Sequence, residues 1–314
     1  MQLIEAVRFV AFLCVILAVY TTALWLVVGL WLERRGHLRW PYPRWWVWLR
    51  RIVFGGALLG LGCMAYGYFI EPYWPEVTPV RLVSPKLPNG ARPIRIVHIS
   101  DLHSDPVPRL EERLPDLIAA QQPDLIVFTG DTINTPSALP IAKQLFTHLA
   151  RVAPTFAVKG NWDVWYWRNR DLFGGTGVRE LNGEAVRVEV AGTSLWMIGS
   201  AVGAEARIDA ALKAVPPDAF RVLLHHYPDE IAQMAGRVDL YCAGHTHGGQ
   251  VALPFYGALV TLSRFGKRYE AGLYRVHDTW LYVNRGLGME GGWAPRVRFC
   301  ARPEITVIEL APAS

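Results

Sequence analysis

The chain has 314 residues, 52% of them hydrophobic, and a formal net charge of +5. Seven arginines and three acids fall in residues 1–71, which leaves 25 basic and 24 acidic residues in 72–314. That near-neutral remainder excludes the basic footprint of a nucleic-acid-binding domain, and the length admits one large domain or two small ones.

Residues 9–32 contain no charge. At about 1.5 Å per residue they make a helix of about 36 Å, enough to cross a bilayer with some tilt. Residues 52–70 form a second uncharged run just long enough to cross. A cleaved signal peptide fits the first run poorly, because the run is too long, Arg8 is offset by Glu5, and no small-residue cleavage site follows. Residues 1–71 therefore read as a membrane anchor with helices over about 9–32 and 52–70. The joining loop 33–51 carries six arginines (Arg34, Arg35, Arg39, Arg44, Arg50 and Arg51) among Trp40, Trp45, Trp46 and Trp48. Arginine-rich short loops stay on the cytoplasmic side and tryptophans favour the interface. This puts the N-terminus and everything after residue 71 outside, although Arg81, Lys86, Arg92 and Arg95 run against the contrast. Gly56 and Gly60 match the small-xxx-small helix-pairing pattern.

Residues 72–93 hold six prolines and read as an extended tether that can include a first edge strand. The domain 94–314 then alternates strand and helix signals. Runs 94–100, 124–130, 155–160, 194–200, 221–226 and 239–244 are short and β-branched, and 108–121 and 137–151 carry helical spacing. Helices thin out later, and 279–286 and 304–310 read as strands closing a second sheet. This order implies two sheets with helices outside. The four cysteines (Cys14, Cys63, Cys242 and Cys300) form no paired framework and no C-x-x-C.

Five short motifs follow the strand signals: Asp101-Leu-His103, Gly130-Asp131, Gly160-Asn161-Trp162-Asp163, His226-Tyr-Pro228 and Gly244-His245-Thr-His247. Each alone has a bland reading. An Asp at a strand exit caps a helix, Gly-Asp is ordinary turn chemistry, and a single His in an apolar strand packs in the core. Two histidines at i, i+2 between glycines resist that reading. Together the motifs offer carboxylate, amide oxygen and imidazole without thiolate, a set that suits manganese, with zinc or iron as alternatives. Seven such side chains with one bridging carboxylate can hold two divalent ions close together for phosphoryl displacement.

With these motifs, and with Gly244–Gln250, Asn284–Gly288 and Arg302–Ile305, residues 94–310 resemble the calcineurin-like metallophosphoesterase superfamily. The likeness is to a branch containing membrane-anchored or secreted bacterial phosphodiesterases and a pyrophosphatase of lipid A biosynthesis that cleaves UDP-2,3-diacylglucosamine. It implies a four-layer α/β/β/α sandwich with the metals at the strand ends; the two apolar runs and the arginine loop add the expectation of two transmembrane helices in a bacterial inner (cytoplasmic) membrane, with the catalytic domain on the periplasmic or extracellular side. It also implies one metal on Asp101, His103, Asp131 and His247, and a second on Asp131, Asn161, His226 and His245, with Asp131 bridging. His225 and His226 compete for one ligand role, and the family pattern, two residues before the proline, selects His226. The implied mechanism is in-line attack by a metal-bridging hydroxide, with Asp131, Asn161 and Asp163 as the catalytic candidates.

Trp162 departs from the family, where many members carry a His that stabilises the phosphoryl group or protonates the leaving alkoxide. Indole cannot give up its proton to a leaving group. Trp162 therefore leans toward an anhydride or activated ester, unless Asp163, His225 or metal-bound water supplies the proton. Trp162, Trp165, Tyr166 and Trp167 read either as a packed loop or as an apolar lip meeting a membrane or an acyl chain. Trp162, Arg168 and Arg285 are candidate substrate contacts, with Arg170 and Arg298 as further candidates for a phosphate. The expected substrate is a phosphorylated, lipid-linked small molecule. The competing readings are the UDP-2,3-diacylglucosamine pyrophosphatase itself and a non-catalytic metal-binding signalling module; the oligomeric state is unspecified.

Overall fold

The computed structural model describes residues 3–37, 43–291 and 296–313. Arg39 and Trp40 of the arginine-rich loop lie outside them. Helices α1 (Leu3–Arg34) and α2 (Arg44–Phe69) are long and apolar enough to cross a membrane by length and composition. Both outrun the uncharged segments. Residues 44–51, expected in the loop, form the first turns of α2. Arginine, tryptophan and leucine all tolerate helix, and Trp46 packs edge-on against Trp25 of α1 at 5.9 Å. Tyr20 donates to the Ala57 carbonyl across the pair, and a Cβ at Gly60 would lie 2.5 Å from the Tyr20 hydroxyl.

The strands run β1 (Glu76–Ser84), β2 (Ile94–Ile99), β3 (Leu125–Phe128), β4 (Thr155–Ala157), β5 (Arg179–Glu180), β6 (Glu184–Val190) and β7 (Thr193–Gly199). They continue with β8 (Phe220–Leu224), β9 (Leu240–Ala243), β10 (Ala252–Leu253), β11 (Gly257–Ala258), β12 (Gly272–Val276), β13 (Thr279–Val283) and β14 (Glu304–Pro312). The first sheet has the order β1-β14-β2-β3-β4-β5 and the second β12-β13-β9-β8-β7-β6, while β10 and β11 form a separate hairpin. Helices α3 (Leu114–Ala119), α4 (Leu139–Val152), α5 (Asn161–Trp165), α6 (Ala206–Lys213) and α7 (Ile231–Met234) complete the set.

Alternation along each strand builds the layers. Ile94 and Ile96 face inward to meet Met197, Val222 and Tyr282 of the second sheet. Val97 and Ile99 face outward onto Leu114, Ile118, Phe146 and Leu149 of α3 and α4. Leu223, Tyr241 and Leu281 face Ile208, Leu212 and Ile231 of α6 and α7 on the other side. The result is a four-layer α/β/β/α sandwich whose central strands are apolar on both faces.

The edge strand allowed within the stretch read as a tether is β1, which pairs in parallel with β14 over its whole length; its Pro79 is tolerated because β1 is an edge strand. Two expectations need correction. Strand β14, expected in the second sheet, lies in the first, antiparallel to β2 with Ile308 opposite Ile96; a local apolar pattern carries no information on which sheet receives it. The helix expected over 108–121 shrinks to α3. Glu111 accepts from the amides of Arg109 and Leu110 and from the Ser104 hydroxyl, which fixes a turn ahead of α3.

The helix pair is docked on the sandwich. Buried Glu71 accepts from the amides of Cys300 and Ala301, Arg298 N–H donates to the Gly67 carbonyl, and buried Glu5 accepts from the amide and hydroxyl of Thr261. Replacing Glu71 by alanine strands two amides, and a buried unpaired amide costs about 1–3 kcal/mol. Glu71→Ala is therefore expected to lower the thermal midpoint of the full chain in detergent, and Glu71→Gln, which keeps an acceptor oxygen, to lower it less.

Candidate metal centre

The loops leaving β2, β3, β4, β8 and β9 meet at one end of the sandwich, at the carboxyl ends of the parallel strands. Five of the residues they carry are left-handed: Asp101, His103, Asp131, His245 and His247 have φ of 48°, 40°, 61°, 72° and 52°. Asp and His tolerate this region better than most residues, and the tight reversals aim successive side chains into one volume. Glycine permits the approach. A Cβ at Gly160 would strike the Asp131 carboxylate, and one at Gly244 would strike Asp101.

Two groups of ligand atoms result, Asp101 with His103 and His247, and Asp101 with Asp131 and His226; within each group the atoms lie within 4.8 Å of one another. Asp131 Oδ2 stands 3.2 Å from His226 Nε2 and 3.5 Å from His103 Nε2, so it reaches both groups. Asp101 Oδ1 lies 3.3 Å from His247 Nε2 and 3.9 Å from His226 Nε2. Nε2 of His103, His226 and His247 and Oδ1 of Asn161 are all buried without a hydrogen-bond partner. Buried polar atoms are almost always satisfied. Unpartnered buried imidazole nitrogens set around two buried carboxylates fit a pair of divalent cations. His245 belongs to neither close group; its ring lies 5.2 Å from that of His226.

The orienting contacts agree with this reading. His226 Nδ1 is 2.7 Å from the Thr129 carbonyl and must carry the hydrogen there, which leaves Nε2 a bare lone pair when the ring is neutral. His103 Nδ1 is likewise held at 3.0 Å by Asn134 Oδ1. Asn134 donates in turn to the His103 carbonyl, which fixes its amide orientation. Asn134 was not singled out from the sequence; its signal is the asparagine three positions after Asp131 in the same strand exit. His225 turns away, with Nδ1 on the Ser200 carbonyl and Nε2 3.5 Å from Glu205.

Three sequence candidates do something else. Asp163 Oδ2 accepts from the amides of Asp131 and Gly160, and Oδ1 from the Thr132 amide. Its carboxyl, read as catalytic, clamps the β3 and β4 exits together instead. Burial, then the charge of Asp131, pushes it up to about 7. Arg285 pairs with Glu76 at 2.8 Å and Glu304 at 3.3 Å and is not aimed at the ligands. Arg298 is fully buried and donates to the carbonyls of Gly288, Ala301 and Arg285. Trp162 N–H donates to Asp131 Oδ1 at 2.8 Å and its indole stands edge-on to His103 at 5.3 Å. Arg168 is exposed on the rim of a concavity of about 390 Å³ that Lys159 and Arg207 also line.

Two outcomes follow. Asp163→Ala leaves three buried amides unpaired at about 1–3 kcal/mol each, so it is expected to lower the thermal midpoint and weaken manganese binding more than Asp163→Asn does; equal midpoints for the two variants and the parent chain would show that the clamp carries no load. For His226, burial pulls the pKa down, but the charges of Asp131 and Asp101 outweigh it and raise the pKa to about 10. The raised value means that the metal-free ring is protonated at pH 8 and must lose its proton when Nε2 binds a cation. Calorimetric titration with manganese at pH 8, in two buffers of different ionisation enthalpy, is expected to show proton release that His226→Gln abolishes. Affinity is expected to rise with pH until about 10.

Residues 94–249 match the model of the calcineurin-like phosphoesterase family. The chain is 32% identical to the uncharacterized metallophosphoesterase YkuE of Bacillus subtilis over 81% of its own length and 92% of that protein. It is 32% identical to the phosphodiesterase YaeI of Escherichia coli over 78% and 92%. It is 27% identical to the UDP-2,3-diacylglucosamine pyrophosphatase LpxG of Chlamydia trachomatis over 76% and 90%. With this sandwich and this convergence of carboxylates and imidazoles, the chain belongs to the calcineurin-like metallophosphoesterase family of hydrolases.

Proposed function

We propose that the protein is a membrane-anchored two-metal hydrolase of phosphodiester or pyrophosphate bonds in a lipid-linked substrate. The observation that carries the two-metal reading is the pair of ligand groups built on Asp101 and Asp131, with Nε2 of His103, His226 and His247 buried and unpartnered beside them. Asp101, His103, Asp131 and His247 would hold one ion, and Asp131, Asn161, His226 and His245 the other. Such ions, when bound, lower the pKa of water and neutralise charge developing on the phosphoryl group. The membrane anchoring rests on α1 and α2, and the arginines of the loop region favour the periplasmic or extracellular side for the sandwich.

The chain's own residues shape the leaving-group side. Trp162 is fixed against the site through its backbone and lacks a transferable proton. Asp163 and His225 are both turned to backbone groups, so neither supplies the missing acid. This arrangement favours a leaving group that needs little protonation, such as a phosphate leaving from an anhydride. Arg168, with Arg207 on the same concavity, suits a second anionic group of such a substrate. The same observation favours the second reading, a UDP-2,3-diacylglucosamine pyrophosphatase. That substrate class requires a cytosolic sandwich, which the arginine loop opposes.

The test compares a nitrophenyl phosphodiester, an alkyl phosphodiester and a UDP-linked diacyl sugar, hydrolysed by the full chain in manganese-loaded vesicles with Asp131→Asn as the blank. Preference for the anhydride is expected. Trp162→His is expected to raise turnover of the alkyl diester selectively, within the about 10²–10⁴-fold range of general acid catalysis. An alkyl diester already turned over as fast as the nitrophenyl ester would overturn the leaving-group argument.

A further inference from the structure

The β10–β11 hairpin leaves the turn that carries His245 and His247 after only a few residues. Leu253 pairs with Gly257, so Pro254, Phe255 and Tyr256 form its tip. Phe255 is fully exposed, at 112% of its reference area, and left-handed with φ 64°. A bulky residue there is an outlier, held in a strained conformation. Glycine or asparagine would relieve that strain, and folding alone gives an exposed phenylalanine no reason to be there. Leu262, just beyond the hairpin, repeats the pattern: φ 58° and 45% exposed.

Both residues lie beside the start of α1. Glu5 takes the amide and hydroxyl of Thr261, and the Arg8 guanidinium sits over the Tyr256 ring at 5.8 Å. Arg8 is the last charge before the uncharged run, so on the spanning reading of α1 it marks the edge of the hydrocarbon. Tyr256 beneath it is then at headgroup depth, where amphipathic rings are favoured. Tyr73 and Trp74 are exposed at the corresponding end of α2.

We propose that Phe255 and Leu262 dip into the bilayer interface beside α1, as a membrane contact separate from the two helices. The proposal rests on the reading of α1 and α2 as membrane spans. Its consequence is that the His245–His247 turn is held at the lipid surface, where the phosphate of a substrate can be reached while its acyl chains stay in the membrane.

The test is depth measurement by spin labelling of the full chain in phosphatidylcholine–phosphatidylglycerol vesicles. Native cysteines are replaced, and one label is placed by Phe255→Cys. Reference labels are placed by Leu17→Cys on α1 and by Lys213→Cys, exposed at the end of α6. Nitrophenyl diester turnover reports that each variant is folded. The expected result is that oxygen is favoured over a water-soluble nickel chelate at 255, to a degree between the values at 17 and 213. A label at 255 as nickel-accessible as that at 213, with 17 deep, overturns the hairpin contact and leaves the anchor intact. A water-accessible label at 17 overturns both.

Discussion

Two carboxylates buried side by side are the constraint on which the rest of this structure depends. Asp101 and Asp131 are at most 1% exposed, and taking an ion of this size out of water costs several kcal/mol unless other charges and hydrogen bonds offset it. Backbone amides meet part of that cost. His245 N–H faces both oxygens of Asp101, and Trp162 N–H takes one oxygen of Asp131. The imidazoles meet more of it: burial opposes ionisation of both carboxyls, yet His247 and His226 beside Asp101, and His226 and His103 beside Asp131, hold them below the usual carboxylate range. What the protein does not supply is a full complement of positive charge, because burial holds His245 largely neutral, at about 3. The deficit is the electrostatic form of a cation site.

Pre-organisation follows from the same constraint. The Nε2 lone pairs of His226 and His103 are aimed because their Nδ1 atoms are tied to Thr129 and Asn134. Asp131 is aimed because Asp163 grips its amide and that of Thr132. Asp163 is therefore costly to bury and still necessary: no neutral side chain of its size accepts three amides with two oxygens. These ties hold the ligands close to a working geometry before any ion arrives, which limits the reorganisation that binding demands.

The ligand motifs are legible in the sequence because each needs a residue type that packing does not explain, next to a glycine that close approach requires. The central strands are legible because burial on both faces makes them continuously apolar. Aim is what local sequence hides. Asp163 and Arg285 have the chemistry of a catalytic acid and a phosphate clamp, and only tertiary placement turns one onto backbone amides and the other onto Glu76 and Glu304. Edge strands hide for a related reason: β1 contains a proline, and β6 (Glu184–Val190) alternates charged with apolar residues on a half-exposed face. The place of β14 rests on pairing with strands more than 200 residues earlier, which no local pattern encodes.

Arg298 ties these themes together. Its backbone N–H caps the carbonyl of Gly67 in α2, and a Cβ at Gly67 would lie only 2.9 Å from the Arg298 carbonyl. Its guanidinium is buried at the rear of the metal centre, held by three carbonyls and 3.4 Å from Nδ1 of the His247 ring. An unpaired guanidinium in that position is expensive, and burial pulls its pKa down to about 9. The acceptors that compensate it come from the two segments, 285–288 and 301, that carry the end of the second sheet toward the helices. Moving α2 would therefore move Arg298, and moving Arg298 would disturb the packing behind His247. The helix pair is thus packed against the framework behind His247 through Arg298.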